Sequence, residues 1–405
     1  MVTAIQIKDV KAYEVAVPWK GVLLWAGGIH RYYADTVART IFELYTDEGV
    51  VGIGEGALGK EVYERKVKPL ILGEDPLNYE KIRRRLICEG IPKEYSSGVE
   101  IACWDIIGKV FNLPVYRLLS GGIYRREVPL SAYVFFRDEE GRNPVTPDNL
   151  ADHCVSLIRR FGFKTVKLKL GVYPPEVEVK AVREVRERVG EDIKIRIDPN
   201  GAWSLPTALN VVKALEDCNL EYVESPIALR SPISNHQRLR GSTKTPICAD
   251  GVYEIDSLVR IAKSDAADVV MADTYGCGGI KKTMEWFRVA SSFRLGVSYH
   301  SMRRLGVAHV AKLHVTASFP DMHHAVDAHY HQLEDDILEG GKMEYKGGSM
   351  TVPSKPGLGV NLDEGKIKEY ELTEKRRREL EKYTAYFWNK YRWKIEHRAL
   401  GIPQY

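Results

Sequence analysis

The sequence has no long apolar run and almost no net charge, and both absences limit what the protein can do. No apolar stretch among its 405 residues approaches the roughly 18–20 residues that a membrane-spanning helix needs. The first residues, MVTAIQIKDV, alternate and end in charge, whereas a secretion signal has a basic stretch followed by an apolar core. The 59 Lys and Arg residues against 55 Asp and Glu residues leave a net charge of +4, too weak to indicate nucleic-acid binding. We therefore expect neither a membrane nor a nucleic acid as a partner.

Cysteine is also scarce, with six residues dispersed along the chain and no CxxC pair. Cys103 and Cys248 stand among apolar neighbours, so we expect them to pack as small hydrophobic side chains. This usage fits a reduced, cytoplasmic environment. The hydrophobic fraction of 44% and the charged fraction of 28% are ordinary for a globular protein with a sizeable core. The length suits two domains, or one large barrel with an accessory domain.

The first part of the chain, residues 1–125, has the pattern of an α+β domain. Residues 4–16 alternate as a β-strand does, and two further short apolar runs flank Asp47-Glu48-Gly49, which is typical of a hairpin. The loop at residues 19–33 contains several glycines. Ser97-Gly98-Val99-Glu100 has the spacing of a capping box and predicts that a helix begins there.

Residues 126–355 have a different rhythm, in which short apolar runs alternate with amphipathic stretches. A strand–helix alternation repeated about eight times predicts a parallel α/β barrel. Polar residues at the carboxyl ends of barrel strands form the active site in such folds. Residues 356–405 form a tail that includes a charged helix beginning near Thr373. The eight apolar runs are 130–136, 165–170, 193–198, 220–225, 246–250, 268–273, 296–300 and 325–327.

Three acids end consecutive runs of the predicted barrel. Asp198, Glu224 and Asp250 follow one another at equal 26-residue intervals, about one strand–helix unit each. In a barrel they would face one mouth from adjacent strands. Clustered carboxylates repel one another and need a cation, and oxygen ligands favour a hard divalent ion such as Mg²⁺. An acid that only caps the following helix would explain any one of them, but not all three.

Possible acid–base groups lie on both sides of these acids. Lys167 and Lys169 share one face of their strand, and we expect like charge and a nearby cation to lower the pKa of one ammonium. On the other side, Asp273 could hold one nitrogen of the His300 imidazole. A base on one face of a metal-bound carboxylate can remove its α-proton. The opposite group then either protonates a leaving β-hydroxyl, which gives dehydration, or returns a proton, which gives epimerisation. A non-catalytic binding protein is disfavoured because all four groups are present.

Several motifs resemble those of the enolase superfamily, in the mandelate racemase group, and most closely the glucarate dehydratase-like acid-sugar dehydratases. The resemblance implies a modified (β/α)7β TIM-type barrel with an N-terminal α+β capping domain, to which the tail returns. It also implies a homo-oligomer, a small sugar-acid substrate and Mg²⁺ on Asp198, Glu224 and Asp250. The motifs are VKLKLG (166–171), IDPNGAWSL (197–205), EYVESPI (221–227), PICADGV (246–252), VVMADTYGCGGI (269–280), SYHS (298–301), AVDAHY (325–330) and PGLGV (356–360).

The same resemblance assigns roles to single residues. Lys169 would be the base with Lys167 beside it, and His300 paired with Asp273 the opposite acid or base. The expected substrate contacts are Asn200, Asp327, His30, Tyr133, Phe135 and Ser301. The tail does not match the glucarate pattern, in which a C-terminal arginine binds the distal carboxylate. Arg137, Arg303 and Arg304 are candidate replacements, and an aldarate and an aldonate both remain open as substrates.

Overall fold

The computed structural model describes residues 5–26, 28, 33–400 and 403–405, so the predicted contact His30 lies outside the described residues. The N-terminal region contains an antiparallel sheet of three strands in the order β1 (Ile7–Pro18), β2 (Thr36–Thr46) and β3 (Val51–Gly56). Val, Ile, Tyr and Phe recur along β1 and β2, as expected of strands with a buried face. The predicted hairpin between β2 and β3 is confirmed.

Four helices follow this sheet: α1 (Lys68–Ile71), α2 (Tyr79–Cys88), α3 (Lys93–Val110) and α4 (Val115–Ser120), with helical turns at Val62–Val67 and Pro76–Asn78. The predicted helix start at Ser97 is wrong, because α3 already begins at Lys93, directly after Pro92. Pro92 is extended, which fits the residue before a helix, whereas Ser97 lies inside the helix. The Ser97 hydroxyl instead donates to the backbone oxygen of Tyr275, 3.4 Å away.

A nearly closed ring of eight parallel strands forms the second part of the chain and confirms the predicted fold class. β11 pairs with β4, and the remaining strands follow around the ring in chain order. Each predicted apolar run overlaps one of these strands, and six of the eight strands lie wholly within their runs, whereas β4 begins before its run and β11 ends one residue after its run. They are β4 (Glu127–Val134), β5 (Thr165–Lys169), β6 (Lys194–Asp198), β7 (Tyr222–Glu224), β8 (Ile247–Ala249), β9 (Val269–Ala272), β10 (Gly296–Tyr299) and β11 (Val326–Ala328).

Helices follow the strands and cover the ring. They are α5 (Leu150–Phe161), α6 (Pro175–Val189), α7 (Leu205–Ala214), α8 (Ile233–Arg240), α9 (Ile255–Lys263), α10 (Thr274–Cys277), α11 (Ile280–Ser292) and α12 (Gly306–Ala317), with 3-10 turns at Pro147–Asn149, Glu216–Cys218 and Tyr330–Gln332. α12 is buried along its whole length. Its first turn is capped from β3, since the Glu55 carboxylate accepts hydrogen bonds from the backbone N–H groups of Leu305 (2.8 Å) and Ala308 (3.0 Å).

The last elements are β12 (Ser349–Thr351), which pairs antiparallel with β4, and the helices α13 (Glu364–Glu369), α14 (Glu374–Lys390) and α15 (Arg392–Leu400). This segment contacts the N-terminal region, where the Ala34 N–H donates to the Thr384 hydroxyl at 3.0 Å and Arg376 donates to Ala16 O. The expected domain limits at residues 125 and 355 stay predictions. None of the helices in the described ranges has the length and apolar character needed to cross a membrane.

Candidate functional site

The carboxyl ends of β5 to β8 bring the predicted lysines and acids to one mouth of the barrel. Lys167 and Lys169 lie on β5, Asp198 ends β6 and Glu224 ends β7, and all four side chains are buried. Asp250 follows β8 directly and is partly buried. The equal spacing along the sequence therefore does correspond to neighbouring strands at one end of the ring.

Lys167 lies among acids. Its Nζ is 2.5 Å from Glu224 Oε2, 2.6 Å from Asp327 Oδ2 and 3.4 Å from Asp198 Oδ2. Burial lowers the pKa of this ammonium, but the Asp327 and Glu224 carboxylates outweigh burial and raise the pKa well above its ordinary value. The expected lowering is therefore not found at Lys167. As arranged, this lysine is a fixed positive charge.

Lys169 lies nearer the mouth. Its Nζ contacts the Asp198 carboxylate and donates to Asn200 Oδ1 at 2.6 Å. Asn200 is held in the left-handed region (φ 50°), and its N–H donates to Asp198 Oδ1 at 2.8 Å. Burial raises the pKa of Asp198, but Lys169 and Lys167 outweigh it and keep that carboxyl ionised. The structure thus brings together the predicted base, a predicted metal ligand and a predicted substrate contact.

Glu224 is the least satisfied acid of the set. Its Oε2 is paired with Lys167 Nζ, but its Oε1 accepts no hydrogen bond from the described residues, although the side chain is fully buried. Burial and the nearby charge of Asp198 raise its pKa well above the ordinary value. A buried carboxylate with one free oxygen beside other carboxylates fits a divalent cation chemically.

The acids are not arranged around a common point. No three His, Cys, Asp or Glu side chains in the described parts of the chain stand so that they could hold a metal ion. Asp198 faces Lys169 and Asn200, whereas Asp250 accepts a hydrogen bond from the Tyr253 hydroxyl at 2.7 Å. Asp198 and Asp250 therefore interact with neighbouring side chains rather than with one ligand that the acids share.

His300 follows β10, across the mouth from β5. Its Nε2 is 3.9 Å from Asp250 Oδ2, and its Nδ1 is 3.4 Å from the Tyr253 hydroxyl oxygen. Asp273 instead caps α10, since its Oδ1 accepts from the backbone N–H groups of Tyr275 (3.1 Å) and Gly276 (2.7 Å). Among the described contacts, no hydrogen bond joins Asp273 to His300, so that pairing stays a prediction.

The expected substrate contacts are distributed around the lysines. The Tyr133 ring lies 4.5 Å from Lys167 Nζ and 5.2 Å from Lys169 Nζ, and Phe135 lies 6.0 Å from Lys169 Nζ. Asp327 is fully buried and accepts from Ser131 (2.8 Å) as well as from Lys167, so it faces the lysine rather than the open mouth.

Ser301 follows His300 in the loop after β10. Its hydroxyl donates to Met302 O at 3.2 Å and accepts from the His329 N–H at 3.4 Å. The His329 ring, which was not predicted, packs on Tyr133 with 4.3 Å between ring centroids. The histidine belongs to the AVDAHY motif, so the sequence did contain a signal for it.

The three arginines proposed for a distal carboxylate are all buried and engaged. Arg137 donates to Asn143 O, Arg303 donates to Tyr33 O, and Arg304 pairs with Glu94 at 2.9 Å while it stacks on Tyr275. None of the three arginines lines the larger of the two cavities near the mouth. That cavity, of about 360 Å³, is lined by Arg230, Arg398 and Gln404 beside Asn200 and Asp250. No sequence pattern pointed to Arg398, which is nearly 200 residues from the loop that it contacts.

Comparison with known families assigns both parts of the chain. Residues 149–366 match the family described as "Enolase C-terminal domain-like". Residues 32–120 match "Mandelate racemase / muconate lactonizing enzyme, N-terminal domain". Together the two matches include β2 and β3 of the N-terminal sheet and every barrel strand except β4.

Individual relatives span nearly the whole chain. A protein of Streptomyces coelicolor described as a probable glucarate dehydratase is 32% identical, over 85% of this chain and 86% of its own. The N-succinyl-L-Arg/Lys racemase of Bacillus cereus is 29% identical, over 90% and 97%. The crystal structure of an enolase from Pseudomonas fluorescens with bound magnesium, potassium and tartrate superposes with a TM-score of 0.84 at 28% identity, covering 95% and 98%. The chain belongs to the enolase superfamily, in its mandelate racemase group, and is an enzyme of that group.

Proposed function

We propose that the protein is a Mg²⁺-dependent hydro-lyase that converts a sugar acid, an aldarate or an aldonate, to its 2-keto-3-deoxy acid. The observation that carries this proposal is the order of groups around the mouth. The strands with Lys169 and His300 lie on either side of β6, β7 and β8, which lead to the three acids. Lys169 contacts the first acid, Asp198, and His300 approaches the last, Asp250. The dehydratase relative supports the same reaction class.

The metal would be held by Asp198, Glu224 and Asp250. When bound, Mg²⁺ would make the α-proton of a coordinated carboxylate more acidic and offset the charge that develops when that proton leaves. Binding would require Asp198 to exchange its present contact with Lys169, whereas Glu224 Oε1 has no hydrogen bond to break among the described residues. Asp250 could bind through Oδ2 while its Oδ1 keeps the hydrogen bond from Tyr253. Magnesium in the Pseudomonas fluorescens structure supports this choice of ion.

The residues of the chain then perform two proton transfers. Neutral Lys169 first takes the α-proton from C2, and the electron pair of the broken C–H bond is delocalised into the substrate carboxylate. In a second step this pair forms the C2–C3 double bond as the C3–O bond breaks. Protonated His300 gives its proton to the departing hydroxyl, which leaves as water. The enol that remains becomes the 2-keto acid by releasing its O–H proton and taking one at C3. Asn200 would orient Lys169, to which it is already hydrogen-bonded.

A second candidate reaction uses the same residues. If His300 returned a proton to the opposite face of C2, the product would be the epimer and no C–O bond would break. The racemase relative favours this alternative. The fate of the β-hydroxyl separates the two reactions.

The test is a screen of mono- and dicarboxylic sugar acids with Mg²⁺ in D₂O. We expect a 2-keto product that reacts with semicarbazide, lost on addition of EDTA and in Lys169→Met and His300→Asn. Deuterium in unreacted or epimerised acid without keto product would establish the alternative. Activity that survives EDTA, or either substitution, would overturn the proposal. Light scattering on the same preparation tests the expected homo-oligomer.

A further inference from the structure

Tyr253 connects two groups of the candidate site that the sequence did not link. It lies in the loop after β8, three residues beyond Asp250. Its hydroxyl donates to Asp250 Oδ1 at 2.7 Å, and the same oxygen lies 3.4 Å from Nδ1 of His300. In the proposed function Asp250 would hold the metal and His300 would transfer a proton, so Tyr253 connects the residue for one role with the residue for the other.

The direction of these two hydrogen bonds follows from their donors. A carboxylate only accepts, so the single phenolic proton of Tyr253 is committed to Asp250. The tyrosine oxygen can then interact with His300 Nδ1 only by accepting, which requires that Nδ1 carry a hydrogen. We infer that Tyr253 is a positioning residue that fixes His300 with its hydrogen on Nδ1 and leaves Nε2 as the nitrogen that exchanges a proton with substrate.

The position of the Tyr253 ring is itself fixed by a glycine. A Cβ atom on Gly276 would lie 2.3 Å from Cδ2 of this ring, so the ring occupies the space that the missing side chain leaves. Gly276 is held in turn by Asp273, whose Oδ1 accepts its N–H at 2.7 Å. Asp273 thus reaches His300 indirectly, through the backbone of Gly276 and the ring of Tyr253.

The consequence for the reaction rests on the proposed function. If His300 is misplaced, proton removal by Lys169 continues while departure of the hydroxyl slows. The deprotonated substrate then returns to acid and collects deuterium from solvent more often. The ratio of keto product to deuterium exchange at C2 therefore reports on His300 and does not depend on how much protein is folded.

The first experiment compares Tyr253→Phe with wild type in D₂O. We expect the ratio of keto product to exchange to fall at least about tenfold, with a smaller change in KM. Tyr222→Phe is the matched control, since it removes a buried hydroxyl that lies 3.3 Å from Ser298 Oγ and has no contact with His300. Gly276→Ala should reproduce the effect of Tyr253→Phe by displacing the ring. An unchanged ratio in Tyr253→Phe overturns the inference.

The second experiment needs neither metal nor turnover. In metal-free protein labelled with ¹⁵N-histidine, the resonance lost in His300→Asn identifies His300. We expect neutral His300 to carry its hydrogen on Nδ1 in wild type and to gain an Nε2–H population in Tyr253→Phe. An Nε2–H form in both proteins contradicts the inference. If wild type yields neither keto product nor exchange with any acid, the proposed function fails, while this spectrum still decides the role of Tyr253.

Discussion

Lys167 shows how one residue can make a cluster of buried acids tolerable. Its ammonium contacts Asp198, Glu224 and Asp327, and none of the four side chains reaches solvent. A buried acid that loses its cation costs several kcal/mol, because nothing in the interior replaces the lost charge. The lysine that resembles a second base in sequence therefore acts in the structure as the counter-charge of the site.

Replacement of Lys167 by Met should destabilise the fold by about 3–5 kcal/mol, because the acids around it lose the cation that they share. Added Mg²⁺ should restore more stability to this variant than to wild type, since it supplies charge at the same acids. Urea unfolding with and without Mg²⁺ measures both effects. Lys213→Met, at an exposed position on α7, should change stability by less than about 0.5 kcal/mol. Equal effects of the two substitutions would contradict the assigned role.

Glu178 gives a pH dependence that is independent of the metal site. Its carboxylate is buried on α6 and accepts from the N–H groups of Gly171, Val172 and Tyr173 at 2.8–3.0 Å, which holds the loop after Lys169. Burial raises its pKa to about 7, above the ordinary 4.5 that it regains on unfolding. The folded chain therefore binds the proton more tightly than the unfolded chain does.

The contribution of Glu178 to the free energy of unfolding should therefore fall by about 3 kcal/mol as pH rises from 4.5 to about 7, and then level off. Glu178→Gln should remove this contribution. The measurement is the difference in unfolding free energy between variant and wild type across that pH range. Glu187→Gln, exposed on the same helix, serves as the control and should follow wild type. A Glu178→Gln curve parallel to that of wild type would falsify the assignment.

At the scale of elements, β3 and α12 join the two parts of the chain. Glu55 is fully buried, and its two oxygens accept two of the N–H groups that a helix leaves free in its first turn. α12 begins six residues beyond His300, so the cap also fixes the loop that carries this histidine. An acid of the N-terminal sheet thus helps to order one side of the barrel mouth.

Glu55→Ala should lower the hydrogen-exchange protection of the Leu305 and Ala308 amides by about tenfold or more, as expected for loss of buried hydrogen bonds to a charged group. Mass spectrometry of the peptide that spans residues 300–312 measures it. Asp363→Ala removes the side-chain cap of α13, where Oδ1 accepts from Lys366 N at 3.0 Å, and should leave this peptide unchanged. Protection that survives Glu55→Ala would show that packing alone orders α12.

The sequence predicted these elements well where a local pattern decides them. All eight barrel strands overlap predicted apolar runs, because buried parallel strands need continuous apolar residues. The start of α3 was missed because Pro92 precedes it without a side-chain cap, so no capping pattern in the sequence marks this start. The capping pattern at Ser97 lies inside α3, where the Ser97 hydroxyl instead donates to the backbone oxygen of Tyr275 in the barrel.

At the scale of the molecule, the end of the chain closes one side of the mouth. Arg398 of α15 donates to Asn200 O and lies 4.8 Å from the Trp25 ring, while the Gln404 N–H donates to Ala202 O at 2.8 Å. The regular 26-residue spacing revealed the acids, which are set by the barrel repeat. No regular spacing could reveal Arg398 or Tyr253. The contacts of Arg398 depend on how the C-terminal tail folds back to the barrel, and those of Tyr253 depend on the conformation of the loop after β8.

Arg398→Ala should therefore raise KM for dicarboxylic sugar acids about tenfold, and less for monocarboxylic acids, because a guanidinium beside the mouth can pair with a second negative charge. Steady-state kinetics with a matched aldarate and aldonate measure the difference. Arg378→Ala, on the exposed face of α14, should change neither KM. Equal losses for both acids would assign Arg398 to loop support rather than to substrate choice.

The contact of Glu55 with α12 has a practical consequence for chimaeric proteins. On α12 the carboxylate contacts main-chain groups only, so this contact does not depend on which side chains the first turn of the helix carries. A foreign N-terminal sheet with an acid at the position of Glu55 should therefore dock on this barrel even when its sequence has diverged. Loops that choose the substrate could then be transplanted together with that sheet while the proton-transfer residues stay untouched.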